Sequence, residues 1–241
     1  MKVFAIAPIL IILAGCTAPE QAHPPAQDPS PAPLRVCLMQ DLSGSIVETR
    51  TPRITEPDLQ ALTNLIKDRG GELGFGVIQE QSDRGLARFV VDENPAPPPP
   101  EPHNPLYRPR WERELQQAEA ERNRWESDMK TREEGFLKEA QARLASPLAR
   151  RTDVCGAIRR CDLMLAEPCP AGTLRFLMLI SDGLHNVRGS ACPESLAANT
   201  RLLLVNGSAV QGIVERYQPT RFESIAAAIK NIKEEMRNES H

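Results

Sequence analysis

The alternation of strand-like and helix-like segments is the feature that most constrains the fold of this chain. Apolar runs of strand length occur at residues 34–40, 72–79, 86–91, 173–180 and 201–205. Between them lie segments whose apolar residues recur at helical spacing, as in Leu59, Leu62, Leu65 and Ile66. Such alternation is typical of α/β proteins. The pattern therefore predicts an α/β fold with a doubly wound, mostly parallel sheet that helices cover on both faces.

A proline-rich and then highly charged segment interrupts this alternation at residues 95–147. Residues 95–109 contain eight prolines, and residues 110–146 contain eight basic and nine acidic residues. Heptad spacing relates six positions, which form a coiled-coil-like seam: Trp111, Leu115, Ala118, Arg122, Trp125 and Met129. This pattern predicts an inserted long helix. Gly135 is the position where such a helix could break. The helix could dock on its own domain or protrude to bind a partner, and burial of both tryptophans favours docking.

The N-terminus resembles the signal peptide of a bacterial lipoprotein over residues 1–15. Lys2 precedes an apolar run at residues 3–13 that is too short to span a bilayer. The run ends in Leu-Ala-Gly-Cys, which resembles a lipobox, so Cys16 is expected to carry the lipid, including palmitate. Residues 16–33 are rich in proline and predict an extended tether. Because residue 17 is not aspartate, the resemblance implies an outer-membrane protein that faces the periplasm of the cell envelope.

Composition limits the other classes of function and the cysteine chemistry. The formal net charge of −3 gives no basic footprint for nucleic acid. No later segment has the about 20 apolar residues of a membrane helix, so the lipid is the only expected membrane attachment. Six cysteines occur, and five remain once Cys16 is assigned to lipid. Since five is odd, at least one stays free or pairs between chains.

Two of the predicted strands end in turns that combine an acid with hydroxyls. The first strand leads into Asp41-Leu42-Ser43-Gly44-Ser45, and the strand at residues 173–180 leads into Ser181-Asp182-Gly183. Thr152-Asp153 opens a predicted helix between them. The carboxyl ends of parallel strands share one edge of a sheet, where ligands bind. The three segments are therefore expected to face one spot.

These segments resemble the metal-binding segments of the von Willebrand factor type A domain. The stretches are LRVCLMQDLSGSI, TDVCGAI and FLMLISDGLHN. The family has a D-x-S-x-S turn, a threonine before a central helix and an Asp-Gly after a later strand. The resemblance implies a metal-ion-dependent adhesion site with the ligands Asp41, Ser43, Ser45, Thr152 and Asp182. It covers residues 34–94 and 148–238, whereas the insertion at residues 95–147 and the pair Arg150-Arg151 depart from the pattern.

The expected function follows from this ligand set. Oxygen ligands without nitrogen or sulfur favour magnesium, with calcium or manganese as alternatives. The resemblance implies a lipid-anchored module that binds a protein or peptide ligand through a carboxylate on the metal. One alternative is a metal-free scaffold that binds through its helical insertion. A hydrolase with Asp41 or Ser43 as nucleophile is disfavoured, because no histidine or lysine base has a recognisable spacing. We therefore do not expect this protein to be an enzyme.

The resemblance also implies a disulfide pattern. In the type A topology, Cys155 and Cys192 both follow metal loops on one sheet edge, which implies that they pair. Cys161 and Cys169 lie near the opposite end of one helix, which implies a second pair. Cys37, inside the first strand, is expected to be a buried thiol. Sequence alone does not fix this connectivity.

Overall fold

A computed structural model describes residues 32–82, 84–92, 94–206 and 213–239. The predicted signal peptide, the lipid site at Cys16 and all but the last two residues of the tether lie outside these ranges. No helix in the described ranges combines the length and apolarity needed to cross a membrane.

The sheet in the described part of the chain has six strands. They are β1 (Leu34–Asp41), β2 (Gly71–Ile78), β3 (Ala87–Val91), β4 (Leu174–Ile180), β5 (Thr200–Val205) and β6 (Thr220–Phe222). Their order is β3-β2-β1-β4-β5-β6. Only β2 and β3 pair antiparallel, and the other neighbours are parallel. This arrangement confirms the predicted mostly parallel α/β fold; the short strand β6 was not predicted.

Helices cover both faces of this sheet. They are α1 (Ser45–Glu48), α2 (Glu56–Arg69), α3 (Arg108–Leu144), α4 (Val154–Leu165) and α5 (Ile225–Asn238). Alternate residues of β1 enter two separate cores, because successive side chains of a strand point to opposite faces. Val36 and Leu38 join the core under α2, α3 and α5. Cys37 and Met39 join the core under α4.

The capping residues explain where α2 begins and ends. Thr55 donates its backbone N–H to Asp58 Oδ2 at 2.9 Å, which completes a capping box at the first turn. Gly70 follows the last turn with a φ of 76°, and its N–H donates to Ile66 O at 2.8 Å. A left-handed residue after a helix is favourable for glycine because it has no Cβ. The chain therefore passes from α2 directly into β2.

The inserted helix α3 is continuous over 37 residues, which confirms the predicted long helix and shows no break near Gly135. At about 1.5 Å per residue it is about 55 Å long. A single glycine costs a helix only about 1 kcal/mol. Docking of the adjacent residues offsets that cost: Phe136 is 3% exposed and its ring lies 6.1 Å from that of Phe89 on β3.

The two halves of α3 have different surroundings. The buried residues Met129, Phe136 and Ala140 all lie in the C-terminal half. The N-terminal half has no fully buried residue between positions 108 and 128. There, Trp111 Nε1 donates to Pro99 O at 2.9 Å, so the proline-rich segment folds back along the helix. We call this part, residues 95–128, the arm.

The disulfides confirm one predicted pair and correct the other. Cys155 pairs with Cys192 as expected. Cys161 pairs with Cys37, so both the predicted Cys161–Cys169 bridge and the predicted free thiol at Cys37 are wrong. The reason is that α4 packs directly on β1: the two residues are fully buried in one core, with Cα atoms 5.5 Å apart. Cys169 lies beyond the end of α4 and is a free thiol.

Candidate metal centre

The candidate centre lies at the carboxyl ends of β1 and β4, which are neighbours in the middle of the sheet. This is the point where the strand order reverses direction, and open α/β sheets bind ligands in the crevice at such a point. Asp41 is the last residue of β1, and Asp182 follows β4 by two residues. Both side chains are 0% exposed. The fold therefore places two predicted ligands together in the interior.

The loop before α4 reaches the same place despite the long insertion that precedes it. Gly44 donates its N–H to Ala149 O at 3.0 Å, and Ala149 donates to Leu42 O at 2.8 Å. These bonds tie Ala149 to the turn after β1. Asp153 donates its backbone N–H to Gln79 O at 2.8 Å and caps α4 by accepting from Gly156. Thr152 lies in the sequence between the anchored residues Ala149 and Asp153 and is 2% exposed.

Asn186 connects the loop of Thr152 to the loop of Asp182. Its Oδ1 accepts the backbone N–H of Thr152 at 2.7 Å, and its own N–H donates to Thr152 O at 3.1 Å. Asn186 is not among the residues that the sequence predicts for the site. Its position four residues after Asp182 gives no pattern of its own, and only the folded loops show that it holds Thr152 in place.

The two carboxylates have unequal sets of partners. Asp41 Oδ1 accepts the N–H of Ser43 at 2.7 Å, and Oδ2 accepts the hydroxyl of Ser181 at 2.6 Å. Asp182 Oδ1 accepts the N–H of Leu184 at 2.9 Å. Asp182 Oδ2 is buried and has no hydrogen-bond partner among the described residues. Ser181 belongs to the sequence motif but is not one of the predicted ligands, and the structure shows that it orients Asp41.

The electrostatic setting makes two adjacent negative charges unfavourable. Burial raises the pKa of Asp41 above its usual range, and the nearby charge of Asp182 adds to this. Hydrogen bonds from Ser181 and Ser43 act in the opposite direction but do not outweigh the burial. Neither carboxylate has an ion-pair partner among the described residues. A positive charge at this point would relieve both the burial and the repulsion.

The remaining donors suit a hard cation. Ser43 Oγ and Ser45 Oγ lie 3.0 Å apart and beside the Asp41 carboxylate, which accepts from the same turn. The described residues contain no group of three or more His, Cys, Asp or Glu side chains that could hold a metal. A set of two carboxylates completed by hydroxyls and water instead fits Mg²⁺, which prefers oxygen ligands and retains several waters. The residues present therefore fit the cation that the resemblance implies.

Comparisons with known proteins give only distant likeness. No protein-family profile and no curated protein matches the chain. The pilus adhesin SpaC from Lactobacillus rhamnosus GG, in its open conformation, superposes with a TM-score of 0.40 at 10% identity over 86% of this chain. A second crystal form of that adhesin gives 0.38 at 10% identity over 86%. The chain spans 30% of the length of that adhesin in both cases. The likeness is too distant to assign a function.

Proposed function

We propose that this protein is a lipid-anchored binding module that takes up a carboxylate of a protein or peptide partner through a bound divalent cation. The cation is magnesium, with calcium and manganese as alternatives. The resemblance to the von Willebrand factor type A domain belongs to the same proposal. The observation that carries it is Asp182 Oδ2, a buried carboxylate oxygen to which no residue in the described ranges donates a hydrogen bond. Such atoms are rare in folded proteins and costly unless an ion or water satisfies them.

Each proposed ligand has a distinct role in this site. Asp41 and Asp182 supply the negative charge that a divalent cation needs. Ser43, Ser45 and Thr152 add neutral oxygens, so the site does not carry more negative charge than the cation can offset. When bound, the cation would supply an electrophilic centre with a coordination position open to one more oxygen. Ser181 and Asn186 are positioning residues, since they hold Asp41 and the loop of Thr152.

Calorimetric titration of magnesium into the full chain, purified in detergent, tests the metal site. We expect binding to the wild type, no heat with Asp41→Ala and weaker binding with Thr152→Ala. Thr131→Ala on the exposed side of α3 is the matched control and should bind as the wild type does. Circular dichroism checks the fold, and Asp41→Asn replaces Asp41→Ala if the latter does not fold. If wild type shows neither heat nor stabilisation by magnesium, the proposal fails.

The membrane attachment is a separate part of the proposal. The lipobox-like sequence Leu-Ala-Gly before Cys16 supports it. Cell fractionation tests it, because Cys16→Ser should move the protein from the membrane pellet to the soluble periplasmic fraction. If the variant pellets as before, the lipid anchor is excluded. The absence of catalysis also stays a prediction, and it is tested by assay with generic ester and phosphate substrates.

A second candidate function is a scaffold that binds through the arm. The observation that favours it is the tip of the arm, where Leu106 is 84% and Tyr107 is 61% exposed. Exposed leucine and tyrosine side chains together are typical of protein contact sites. A pull-down from cell envelope distinguishes the two functions. Leu106→Ser with Tyr107→Ser abolishes capture if the scaffold is right, and Asp41→Ala abolishes it if the metal module is right.

A further inference from the structure

A groove adjoins the candidate metal centre on the side of the inserted helix. It has a volume of about 580 Å³, within the about 300–1,000 Å³ typical of ligand sites. One wall is the helix that begins at the proposed ligand Ser45, and the other is the segment between α3 and Thr152. The residues that line it include Ile46, Val47, Arg50, Arg53, Leu144 and Leu148. The end of the insertion thus forms half of this groove.

The rim of this groove and of the metal centre is unusually apolar for a surface. The described residues include six exposed large hydrophobic side chains, and three of them lie near this groove and the metal centre. Val47 is 67% exposed two residues after Ser45, and Leu148 is 50% exposed four residues before Thr152. Leu184 is 46% exposed two residues after Asp182. Exposed apolar groups that cluster around one site mark a contact surface rather than random scatter.

The charged residues that line the groove itself are positive. Arg50 and Arg53 line the groove, and no acidic residue lines it among those described. Arg150 and Arg151 are exposed just beyond Leu148. Arg50, Arg150 and Arg151 form no ion pair with any described residue. Arginines that face solvent without a carboxylate are suited to pair with acidic groups of a partner.

The backbone at Arg50 is held in a costly conformation. Its φ is 53°, in the left-handed region that a residue with a Cβ rarely adopts. Thr51 donates its N–H to Ile46 O at 3.0 Å on one side of the turn. Asn206 Nδ2 donates to Thr49 O at 3.3 Å and to Thr51 Oγ1 at 2.7 Å. The surrounding bonds thus fix a strained turn that presents the Arg50 guanidinium at the groove, and such strain clusters at binding sites.

We infer that this groove selects the partner: an acidic peptide segment whose metal-binding carboxylate is flanked by an apolar side chain and by a further Asp or Glu. The inference rests on the proposed metal-dependent function. The apolar side chain lies between Val47 and Leu148. The second acidic residue pairs with Arg50 or with the arginines at positions 150 and 151. The insertion, which departs from the type A pattern, then has a role in specificity because it supplies one wall.

Selection from a peptide library tests this specificity. Phage displaying 12-residue peptides with one fixed central Asp are bound to the immobilised full chain in magnesium and eluted with a chelator. We expect enrichment of Leu, Ile, Met or Phe near the fixed Asp and of Asp or Glu beyond it. Binding of the best peptide is then measured by fluorescence anisotropy. Leu148→Glu should weaken it about tenfold or more, and Arg50→Asn, which tolerates the left-handed turn, about threefold.

Calorimetry with magnesium distinguishes a failure of the groove inference from a failure of the proposed metal site. Leu163→Glu is the matched control, since Leu163 is 58% exposed on α4, outside the groove, and should leave peptide binding unchanged. If magnesium binds but no peptide is selected, or the selected peptides show no flanking preference, the groove inference is overturned and the metal site stands. Equal peptide affinity of Leu148→Glu and Leu163→Glu overturns it as well. If wild type binds no magnesium, the proposed function and the inference fail together.

Discussion

At the scale of single residues, Asp182 has the most unusual environment among the described residues of the site. One of its carboxylate oxygens accepts the N–H of Leu184, and the other is buried with no partner in the part of the chain that the structure describes. Asp41 lies close enough for its pKa to be raised by the charge of Asp182, after the larger effect of burial. Two buried acids without a cation destabilise each other. The stability of the protein should therefore depend on magnesium and on the charge at position 182.

We predict that Asp182→Asn removes the stabilisation by magnesium without destabilising the metal-free protein. Loss of the charge relieves the repulsion with Asp41, so the metal-free variant should equal the wild type or exceed it by about 1 kcal/mol. Thermal unfolding with a chelator and with magnesium measures both effects. Asp92→Asn at an exposed position is the control and should retain the magnesium shift. A full magnesium shift in Asp182→Asn would show that Asp182 is not a ligand.

Cys169 is the second residue with an unusual environment. Its thiol accepts a hydrogen bond from Arg175 Nη2 at 3.0 Å and lines a cavity of about 560 Å³. Burial raises the pKa of this thiol, but hydrogen bonds from Arg175 and Thr173 and the charges of Arg175 and Arg35 outweigh that effect, so the pKa is lowered. A lower pKa gives more thiolate at neutral pH, and the thiolate is the reactive form.

We predict that iodoacetamide at neutral pH labels Cys169 and none of the four disulfide-bonded cysteines unless a reductant is present. Arg175→Met should shift the pH midpoint of labelling upward, because it removes the group that stabilises the thiolate. The measurement is the labelling rate against pH, with mass spectrometry to locate the label. Cys169→Ser gives the background. An unchanged midpoint in Arg175→Met would mean that the guanidinium does not set the reactivity.

At the scale of elements, the bond between Cys37 and Cys161 ties the central strand β1 to α4. The loop that it closes spans 124 residues, whereas the bond between Cys155 and Cys192 spans 37. Longer loops lose more entropy in the unfolded chain when they are closed. The insertion lies inside the longer loop, so this bond also limits how far an unfolded insertion can separate the two halves of the sheet.

We predict that loss of the Cys37–Cys161 bond costs more stability than loss of the Cys155–Cys192 bond. The chain-entropy relation gives about 5 kcal/mol for the longer loop and about 4 kcal/mol for the shorter one. Urea unfolding of the two double Cys→Ala variants measures the difference. Peptide mapping without reductant checks the connectivity first. Detection of a Cys161–Cys169 peptide would contradict this pairing and restore the sequence-based expectation.

At the scale of the whole molecule, the two halves of α3 lie in different environments. Its C-terminal half packs on α2, β2 and β3, and Lys67 of α2 forms an ion pair with Glu133 at 3.0 Å. Its N-terminal half contacts the proline-rich segment in the arm. The free energy that keeps α3 in place should therefore come from the C-terminal half. Apart from Trp125, which packs against the core, residues of the arm should tolerate substitution without loss of the domain.

We predict that Phe136→Ala destabilises the protein by about 3–5 kcal/mol, because it leaves a cavity next to Phe89. Leu115→Ala, the matched truncation in the arm, should cost less than about 1 kcal/mol since Leu115 is only partly buried. Urea unfolding followed by circular dichroism measures both values. Similar losses in the two variants would show that the arm unfolds together with the domain and contributes equally to its stability.

The sequence by itself determined the longer strands and helices and the edge of the sheet where the polar residues meet. Apolar runs, helical spacing and capping residues are local, so the α/β class and the bounds of α2 and β1 could be predicted to within a few residues. The gathering of Asp41, Thr152 and Asp182 could also be predicted, because parallel strands have their carboxyl ends at one edge.

Only the tertiary structure decided the contacts between distant elements. The partner of Cys161 depends on which face of β1 meets α4, and a local pattern cannot show that two residues 124 positions apart are adjacent. The roles of Ser181 and Asn186 depend on loops that meet only after folding. The division of α3 into a docked half and an arm has the same cause, because heptad spacing defines a face of a helix but not what covers it.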